Sequence, residues 1–185
     1  MIDPALFIQY QKDGFKLKFL TTYGVFSPKT IDKGTALLLS YLDCFDGARV
    51  LDLGCGYGVI GLVVAKKYPN CKVELVDKDF VAIECANENI KINHLSNARA
   101  YLSNGLAHTN GEFDRIYCNL PAKIGNELTG IFLKNCYEKL ANGGSLQWVC
   151  INSLRHHIKR VSSEIFTHYR KIKQSNQYTV FEIQK

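Results

Sequence analysis

The chain has 185 residues, of which 46% are apolar and 22% are charged, and it carries a formal net charge of +6 at pH 7. A chain of this length is expected to bury about 70% of the surface that its unfolded form exposes. The composition excludes intrinsic disorder, and the lack of a long apolar run excludes a membrane-spanning helix. The length predicts a single domain over residues 1–185. Because the N-terminus shows neither a basic leader nor a signal-type apolar stretch, we expect a cytoplasmic protein.

The cysteines and the distribution of charge narrow the possible functions. The seven cysteines are odd in number and never form a C-x-x-C pair, so we expect neither a disulfide framework nor a bound metal. Residues 153–185 hold seven basic and two acidic residues, which accounts for most of the excess positive charge. Such a block is typical of a solvated helix face and also fits a surface that contacts a polyanion, and charge alone leaves both interpretations open.

Segments with strand periodicity and helix periodicity alternate along the chain. The first half predicts, in chain order, a strand over 14–22, a helix over 30–42, a strand over 48–54, a helix over 59–68, a strand over 72–77 and a helix over 79–93 capped by Asp79. The second half predicts strands over 98–102 and 113–119, a helix over 126–140 closed by the N-G-G at 142–144, a strand over 145–151, a helix over 153–169, and strands over 170–174 and 178–183. This order predicts an α/β fold in which helices cover both faces of a mostly parallel sheet, with an antiparallel pair of strands at one edge.

A glycine-rich loop, "LDLGCGYG", follows a predicted buried strand. In a parallel sheet, ligands bind beyond the carboxyl ends of the strands, which is where this loop is expected. Asp52 ends the strand, and Gly54, Gly56 and Gly58 allow the backbone to turn closely around a ligand. A dinucleotide fingerprint would require glycine at the position of Val59. The pattern therefore favours a ligand with a cationic amino-acid end over a pyrophosphate.

Two further polar residues follow the next two predicted strands. Asp77 ends a strand about 20 residues after the glycine-rich loop, where a carboxylate can accept hydrogen bonds from both hydroxyls of a ribose. Asn104 follows the next strand, where its amide can meet the edge of an adenine. Taken singly, each residue also fits a capping or turn position. Three such loops at one edge of a sheet favour a nucleoside cofactor.

Several motifs together resemble the class I S-adenosylmethionine-dependent methyltransferases, and specifically the catalytic domain of the ribosomal RNA guanine-N2 methyltransferase family. These are "VLDLGCGYGVIGL", "VDKD" and "FDRIYCNLPAKIG", preceded by "TTYGVFSPKTIDKGTALLL", which is similar to the G-V-F-S segment of that family. The resemblance extends from Gly24 to about Asn152, and Asn89 and Asn93 fall on asparagines of the family. The chain resembles the shorter, stand-alone members, which lack an extra N-terminal domain.

The resemblance implies a Rossmann-like methyltransferase fold with seven strands, in which residues 1–45 cover the cofactor site of a core formed by 46–185. It implies S-adenosyl-L-methionine as the cofactor. The residues that it assigns to cofactor binding are Asp52, Gly54, Cys55 and Gly56 at the amino-acid end, Asp77 and Lys78 at the ribose, Asn104 and Gly105 near the adenine, and Asn119. Asn104 stands where the family usually has an aspartate.

The segment "NLPA" stands where amino-group methyltransferases of this class carry Asn/Asp-Pro-Pro-aromatic. The resemblance implies that the Asn119 side-chain oxygen and the Leu120 carbonyl accept the two N–H bonds of an amine, while Pro121 keeps that carbonyl in place. An amine conjugated to a ring is a poor nucleophile, and these bonds would direct its lone pair at the methyl group without a strong base. The alternative is a strand-ending turn made by X-Pro geometry.

The substrate side of the site departs from the family. Ala122 replaces the aromatic residue that would stack on a flipped base, and Phe26 is a candidate to replace it. We expect base reading near Phe26, Lys123 and Asn152. The helix that begins near residue 153 is expected to present Arg155, Lys159 and Arg160 to a phosphate backbone, since RNA, most simply ribosomal RNA, is the expected partner.

Other functions stay open at this stage. The same motif serves methylation of a protein amide or a small amine, and an N-L-P sequence also occurs in transfer RNA guanine-N1 methyltransferases. A non-enzymatic, cofactor-binding scaffold would explain why Asn104 and Ala122 depart from the family pattern. His156, His157 and His168 suggest a metal site, but no cysteine or acidic residue lies at a useful spacing from them, so we expect solvated helix residues. The oligomeric state cannot be inferred from the sequence.

Overall fold

A computed structural model describes residues 5–120, 125–166 and 168–185, with all side chains there except those of Asn126 and Glu127. A seven-stranded sheet forms its centre, and a separate two-stranded antiparallel sheet precedes it. The elements are β1 (Leu6–Lys12), β2 (Phe15–Thr21), α1 (Lys33–Leu39), β3 (Arg49–Leu53), α2 (Val59–Lys67), β4 (Lys72–Asp77), α3 (Phe80–Ile92), β5 (Ala98–Leu102), β6 (Phe113–Asn119), α4 (Asn126–Lys139), β7 (Leu140–Ile151), a 3-10 turn (Asn152–Leu154), α5 (Arg155–Ile165), β8 (His168–Gln174) and β9 (Tyr178–Gln184).

The large sheet has the strand order β5-β4-β3-β6-β7-β9-β8. The first five strands in this order run parallel, and β9 runs antiparallel to both of its neighbours. The predicted mostly parallel α/β sheet is therefore confirmed, and the C-terminal hairpin completes one side of it. Within that hairpin β9 lies inside and β8 lies at the edge. The reason is composition, because β9 buries Val180, Phe181 and Ile183, whereas β8 exposes Arg170 and Lys171.

The chain reverses its direction of winding beside β3. From β3 it proceeds first to β4 and β5 on one side, and then crosses to β6 on the other side. A crevice forms at such a switch point, outside the carboxyl ends of the strands. The loops that follow β3, β4, β5 and β6 therefore meet at one edge of the sheet.

Helices cover both faces of the sheet. On one face α1, α2 and α3 enclose a core that includes Leu38, Leu62 and Leu75, and on the other face α4 and α5 pack over Trp148 and Phe181. Apolar side chains on these two faces supply the main driving force for folding. No helix within the described ranges has the length and apolar content needed to cross a membrane.

Two asparagines of α3 hold the N-terminal hairpin against the core. The fully buried Asn89 donates to the carbonyl oxygens of Leu20 and Tyr57, both at 2.9 Å, and accepts from Leu20 N. Asn93 bonds Lys18 in the same manner, through both N–H and C=O. A side-chain amide satisfies backbone groups that a strand edge would otherwise leave unpaired. This anchorage places the segment that follows β2 beside the glycine-rich loop.

Element boundaries differ from the predictions at several places: β1 was not predicted, and α5 ends at Ile165, whereas the predicted helix runs to 169 and so includes the first residues of β8. Helix α1 begins only after Asp32, because that side chain caps the helix by accepting from Gly34 N and Thr35 N. The expectation that N-G-G closes α4 is wrong, since the helix ends at Lys139 and residues 142–144 lie within β7. A Cβ at Gly144 would lie 2.9 Å from Phe113 O, so glycine there allows β7 to approach β6. The predicted cap of α3 by Asp79 is confirmed.

Candidate active site

The glycine-rich loop between β3 and α2 combines two different uses of glycine. Gly54, Gly56 and Gly58 all have positive φ, at 72°, 54° and 92°. A Cβ at Gly58 would lie 2.8 Å from Leu62 Cδ1, so this glycine serves packing. Apart from the adjoining residues of the chain, no described atom lies within 4 Å of the Cβ positions at Gly54 and Gly56. These two glycines therefore leave an open approach to the backbone on the ligand side of the loop.

Asp52 lies buried beneath this loop. Its Oδ2 accepts a 2.7 Å bond from Gly61 N in α2, whereas its Oδ1 is buried without a hydrogen-bond partner among the described residues. Burial raises the pKa of Asp52 to about 7, with the Gly61 bond opposing the rise and the charge of Asp77 adding to it. An orphaned carboxylate oxygen is costly unless a donor reaches it. The geometry suits a ligand that carries a cationic donor group.

Asp77 joins the loops that follow three neighbouring strands. Its Oδ2 accepts from Gly56 N at 2.9 Å, and its Oδ1 accepts from Asp79 N at 3.0 Å. Its carbonyl oxygen accepts from Ser103 N, which begins the loop after β5. Each carboxylate oxygen has a second lone pair, so the half-buried side chain can still accept from two hydroxyl groups of a ligand.

The other residues predicted to bind a cofactor lie around this edge with less definite roles. Cys55 is buried, and burial raises the pKa of its thiol, which stays protonated and contacts Gly56 O. Lys78, Asn104 and Gly105 are exposed at the carboxyl ends of β4 and β5. Their roles in binding stay predictions.

Asn119 ends β6, and its amide is held in one orientation. Nδ2 donates to Asp32 Oδ2 at 3.0 Å and to Thr35 Oγ1 at 2.9 Å. These two bonds use both amide hydrogens, so the hydrogen-bonding capacity that remains to the side chain is its oxygen, an acceptor. Leu120 N bonds Val149 O at 2.9 Å, so the strand ladder continues into Leu120. Pro121, Ala122 and Lys123, which complete the predicted motif and its surroundings, lie outside the described residues.

Sequence reasoning missed the residues that hold Asn119. Asp32 accepts from Asn119 and caps α1 through Oδ2, and its Oδ1 accepts from Tyr178 OH at 3.2 Å. An aspartate just before a helix-forming segment signals a cap, so the capping role of Asp32 was available from the sequence. Its contact with Asn119 was not, because 87 residues separate the two.

The residues predicted to contact the base differ in exposure and in their hydrogen bonds. Phe26 is 68% exposed, and Tyr23 nearby in the same loop, which the prediction missed, is 60% exposed. Asn152 instead bonds the C-terminal hairpin, because its Nδ2 donates to Ser175 O at 2.9 Å and its Oδ1 accepts from Thr179 Oγ1 at 2.6 Å. These bonds give Asn152 a structural role that competes with base reading.

The predicted basic face of α5 is divided in a similar way. Arg155 is partly buried and donates to Asn152 O at 2.8 Å, whereas Lys159 and Arg160 are exposed. Arg155 is the first residue of α5. An α-helix rises about 1.5 Å per residue, so Lys159 lies roughly 6 Å further along the helix axis than Arg155. Across the described ranges, no three His, Cys, Asp or Glu side chains are grouped so as to hold a metal ion.

Comparisons with known proteins show to which family the chain belongs. Residues 16–182 match the model of the methyltransferase small domain family. The chain is 34% identical over 166 residues to ribosomal RNA small subunit methyltransferase C of Shewanella amazonensis, covering 88% of this chain and 48% of that protein. It is 38% identical over 165 residues to the protein of the same name from Shewanella sediminis, covering 85% and 46%. The chain thus spans about half the length of these curated relatives.

A solved structure shows the same fold. It is that of the T. thermophilus 16S rRNA N2 G1207 methyltransferase (RsmC) in complex with AdoMet and guanosine, with a TM-score of 0.85 and 24% identity. The likeness covers 98% of this chain and 50% of that one. The glycine-rich loop, the acidic residues that end β3 and β4, and the family match over nearly all of the described fold lead to one conclusion. The chain belongs to the methyltransferase small domain family.

Proposed function

We propose that the chain is an S-adenosylmethionine-dependent N-methyltransferase that modifies the exocyclic amino group of a guanine in RNA. One observation carries this proposal. Leu53, the last residue of β3, pairs with Cys118 of β6, so the residues that follow this last pair on the two chains, Gly54 and Asn119, leave the ladder beside each other. Neighbouring strands lie about 4.8 Å apart. The acceptor of Asn119 and the open glycine loop therefore flank one crevice, as transfer between a cofactor and an amine requires.

The residues at this edge fit the proposed cofactor. Asp52 Oδ1 is a buried acceptor that lacks a partner among the described residues, and it suits the ammonium group of the amino-acid end. The open Cβ positions of Gly54 and Gly56 allow the ligand to approach the backbone. Asp77 has acceptor capacity left for the ribose hydroxyls. RsmC of T. thermophilus, whose fold this chain shares, was solved with AdoMet and guanosine, which supports the choice.

When bound, S-adenosylmethionine supplies an electrophilic methyl group on a sulfonium. The chain's own contribution is to position and polarise the amine. Asn119 Oδ1 and the Leu120 carbonyl accept hydrogen bonds from its two N–H groups. These hydrogen bonds direct the nitrogen lone pair away from the ring. As the nitrogen becomes positive, these bonds strengthen and stabilise the transition state. The methylated nitrogen then loses one proton to solvent and becomes neutral.

RNA as the substrate is supported by the relatives and by exposed side chains. The curated relatives are named as ribosomal RNA small subunit methyltransferases. Phe26 and Tyr23 expose aromatic rings in the loop that Tyr57 contacts through its hydroxyl, and exposed rings can stack on an unpaired base. Lys159 and Arg160 add positive charge on α5. The target guanine has to be single-stranded or flipped out to reach Asn119.

The experiment is transfer of a labelled methyl group to small-subunit ribosomal RNA transcribed in vitro, which carries no prior modification. Digestion to nucleosides should place the label in N2-methylguanosine, and Asn119→Ala should abolish most of it. Label in a ring-methylated guanosine would show that the methyl group is transferred to a ring nitrogen. Label in proteins or small amines of a lysate, with none in RNA, would overturn the RNA assignment. Calorimetric binding of the cofactor without transfer to any acceptor would indicate a scaffold.

A further inference from the structure

We infer that Asp32 is a positioning residue that acts through Asn119, holding its amide with the oxygen toward the substrate and strengthening that oxygen as an acceptor. The inference rests on the proposed function, because it concerns the amine that Asn119 would bind. It assigns a role to the segment before α1, a long way along the chain from the motif that contains Asn119.

The orientation follows from what a carboxylate can do. An ionised carboxylate only accepts hydrogen bonds, so the group of Asn119 that lies 3.0 Å from Asp32 Oδ2 has to be the NH₂. Thr35 Oγ1 takes the second hydrogen at 2.9 Å. If neither partner were present, the amide could turn over and present its donor to the substrate. A donor there would repel the N–H bonds of an amine.

Asp32 is itself held from three sides. Gly34 N and Thr35 N donate to its Oδ2 at 2.8 and 3.1 Å, and Tyr178 OH donates to its Oδ1 at 3.2 Å. The packing is close, because a Cβ at Gly34 would lie 2.9 Å from both Asp32 Oδ2 and the Tyr178 ring. Tyr178 begins β9, so the C-terminal hairpin and the first helix converge on one carboxylate. A group held in this manner transmits a fixed geometry to its partner.

The charge of Asp32 has a second consequence. A negative acceptor on Nδ2 favours the resonance form of the amide in which nitrogen is positive and oxygen is negative. Hydrogen bonds in a chain polarise one another in this way. Asn119 Oδ1 therefore becomes a better acceptor at the moment when the substrate nitrogen gains positive charge. Helix capping alone does not need this charge, because serine and asparagine cap helices as well as aspartate does.

The test uses two variants that keep the cap. Asp32→Ser retains a capping hydroxyl but is too short to reach Asn119, and Asp32→Asn retains an acceptor without its charge. We expect kcat to fall about 10-fold or more in Asp32→Ser, as removal of a charge-assisted bond predicts, and by an intermediate factor in Asp32→Asn. The cofactor Kd should stay within about twofold, since the cofactor contacts are untouched.

A double-mutant cycle separates positioning from general damage. In the Asn119→Ala background, Asp32→Ser should cause no further decrease of kcat, because the residue through which it acts is gone. The matched control is Asp46→Ser, which removes a carboxylate that also accepts from a backbone N–H and an asparagine amide, those of Asn70. Asp46 precedes β3, at the opposite edge of the sheet from Asn119. Its removal should leave kcat unchanged.

A spectroscopic readout makes the test independent of turnover. The side-chain NH₂ of Asn119 should show slow hydrogen exchange in the wild-type chain and fast exchange in Asp32→Ser. Equal decreases of kcat in both backgrounds, or unchanged exchange, would overturn the inference. If the wild-type chain methylates no acceptor, the proposed function fails, and the exchange measurement still decides whether Asp32 orients the amide.

Discussion

Gly56 N donates a 2.9 Å hydrogen bond to Oδ2 of Asp77, and this bond joins the loop after β3 to the end of β4. The two halves of the proposed cofactor site are thereby coupled through one carboxylate. The same oxygen that would meet a ribose hydroxyl also sets the position of the glycine-rich backbone. Asp77 is therefore expected to matter for loop order as well as for ligand contacts.

Replacing Asp77 by alanine should weaken cofactor binding strongly. If Asp77 binds the ribose as proposed, the substitution removes two charge-assisted bonds, each worth about 1.5–3 kcal/mol, so the calorimetric Kd should rise more than 10-fold. Glu88→Gln is a suitable control, since Glu88 is a partly exposed carboxylate on α3 that forms an ion pair with Lys91. An affinity for the cofactor that stays at the wild-type value in Asp77→Ala would defeat the assignment.

Asn119→Ala should affect catalysis and leave cofactor binding almost unchanged. Under the proposed function its acceptor bonds to the substrate amine strengthen as charge develops on the nitrogen, so removing them should lower kcat more than it raises the cofactor Kd. Single-turnover transfer of labelled methyl groups and calorimetry measure the two quantities separately. Transfer at the wild-type rate would mean that "NLPA" is only a strand-ending turn.

Cofactor binding should release protons near pH 6. Burial raises the pKa of Asp52 from 3.8 to about 7, so the free chain holds a proton there at pH 6. A cationic amino group favours the ionised carboxylate and displaces that proton. Affinity should accordingly fall as the pH drops below 7. Calorimetry at pH 6 in two buffers of different ionisation enthalpy measures the release, and Asp52→Asn should remove it.

The same raised pKa has the opposite effect on folding. Between the unfolded and folded pKa values, about 4 to 7, the folded chain binds more protons at Asp52 than the unfolded chain does. The contribution of Asp52 to stability is therefore present below pH 4 and is lost as the pH rises to 7. Denaturant titrations of the wild type and Asp52→Asn should diverge across this range. Parallel curves would show that Asp52 titrates normally.

Lys159→Ala/Arg160→Ala should weaken binding to any RNA and reduce its dependence on salt. Removing one phosphate contact should flatten the logarithmic salt slope by about 0.7 for single-stranded RNA. The matched control is Lys66→Ala/Lys67→Ala, which removes two exposed cations from the C-terminal end of α2. An unchanged slope in Lys159→Ala/Arg160→Ala, with cofactor binding intact, would show that these two side chains contact solvent and not RNA. It would favour a protein or small-amine acceptor.

Two glycines in helices should respond oppositely to alanine. A Cβ at Gly61 would lie 2.6 Å from Leu75 Cδ2, so Gly61→Ala overpacks the contact of α2 with β4 and should cost about 1–3 kcal/mol. At Gly130 the nearest atom is Val161 Cγ1 at 3.8 Å. Gly130→Ala should therefore stabilise α4 by up to about 1 kcal/mol. Denaturant unfolding measures both, and equal effects would contradict the packing argument.

Much of the site could be predicted from the sequence, because its signals are local. Strand and helix periods repeat within a few residues, and the carboxyl ends of parallel strands share one edge. Asp52, Asp77 and Asn119 could therefore be placed near one another from the sequence pattern alone. Glycine at 54 and 56 likewise follows from the local need for positive φ. The family resemblance rested on these same short motifs.

The tertiary structure decided what those side chains do once they are together. The amide of Asn119 is oriented by Asp32, 87 residues earlier, and Asn152 is engaged by the hairpin that Ser175 and Thr179 form. The place of β9 inside the sheet depends on which strand buries more apolar surface against β7. These outcomes depend on strand register and on side-chain packing between distant segments. A local period specifies which face a residue occupies, but it does not specify which distant partner meets it there.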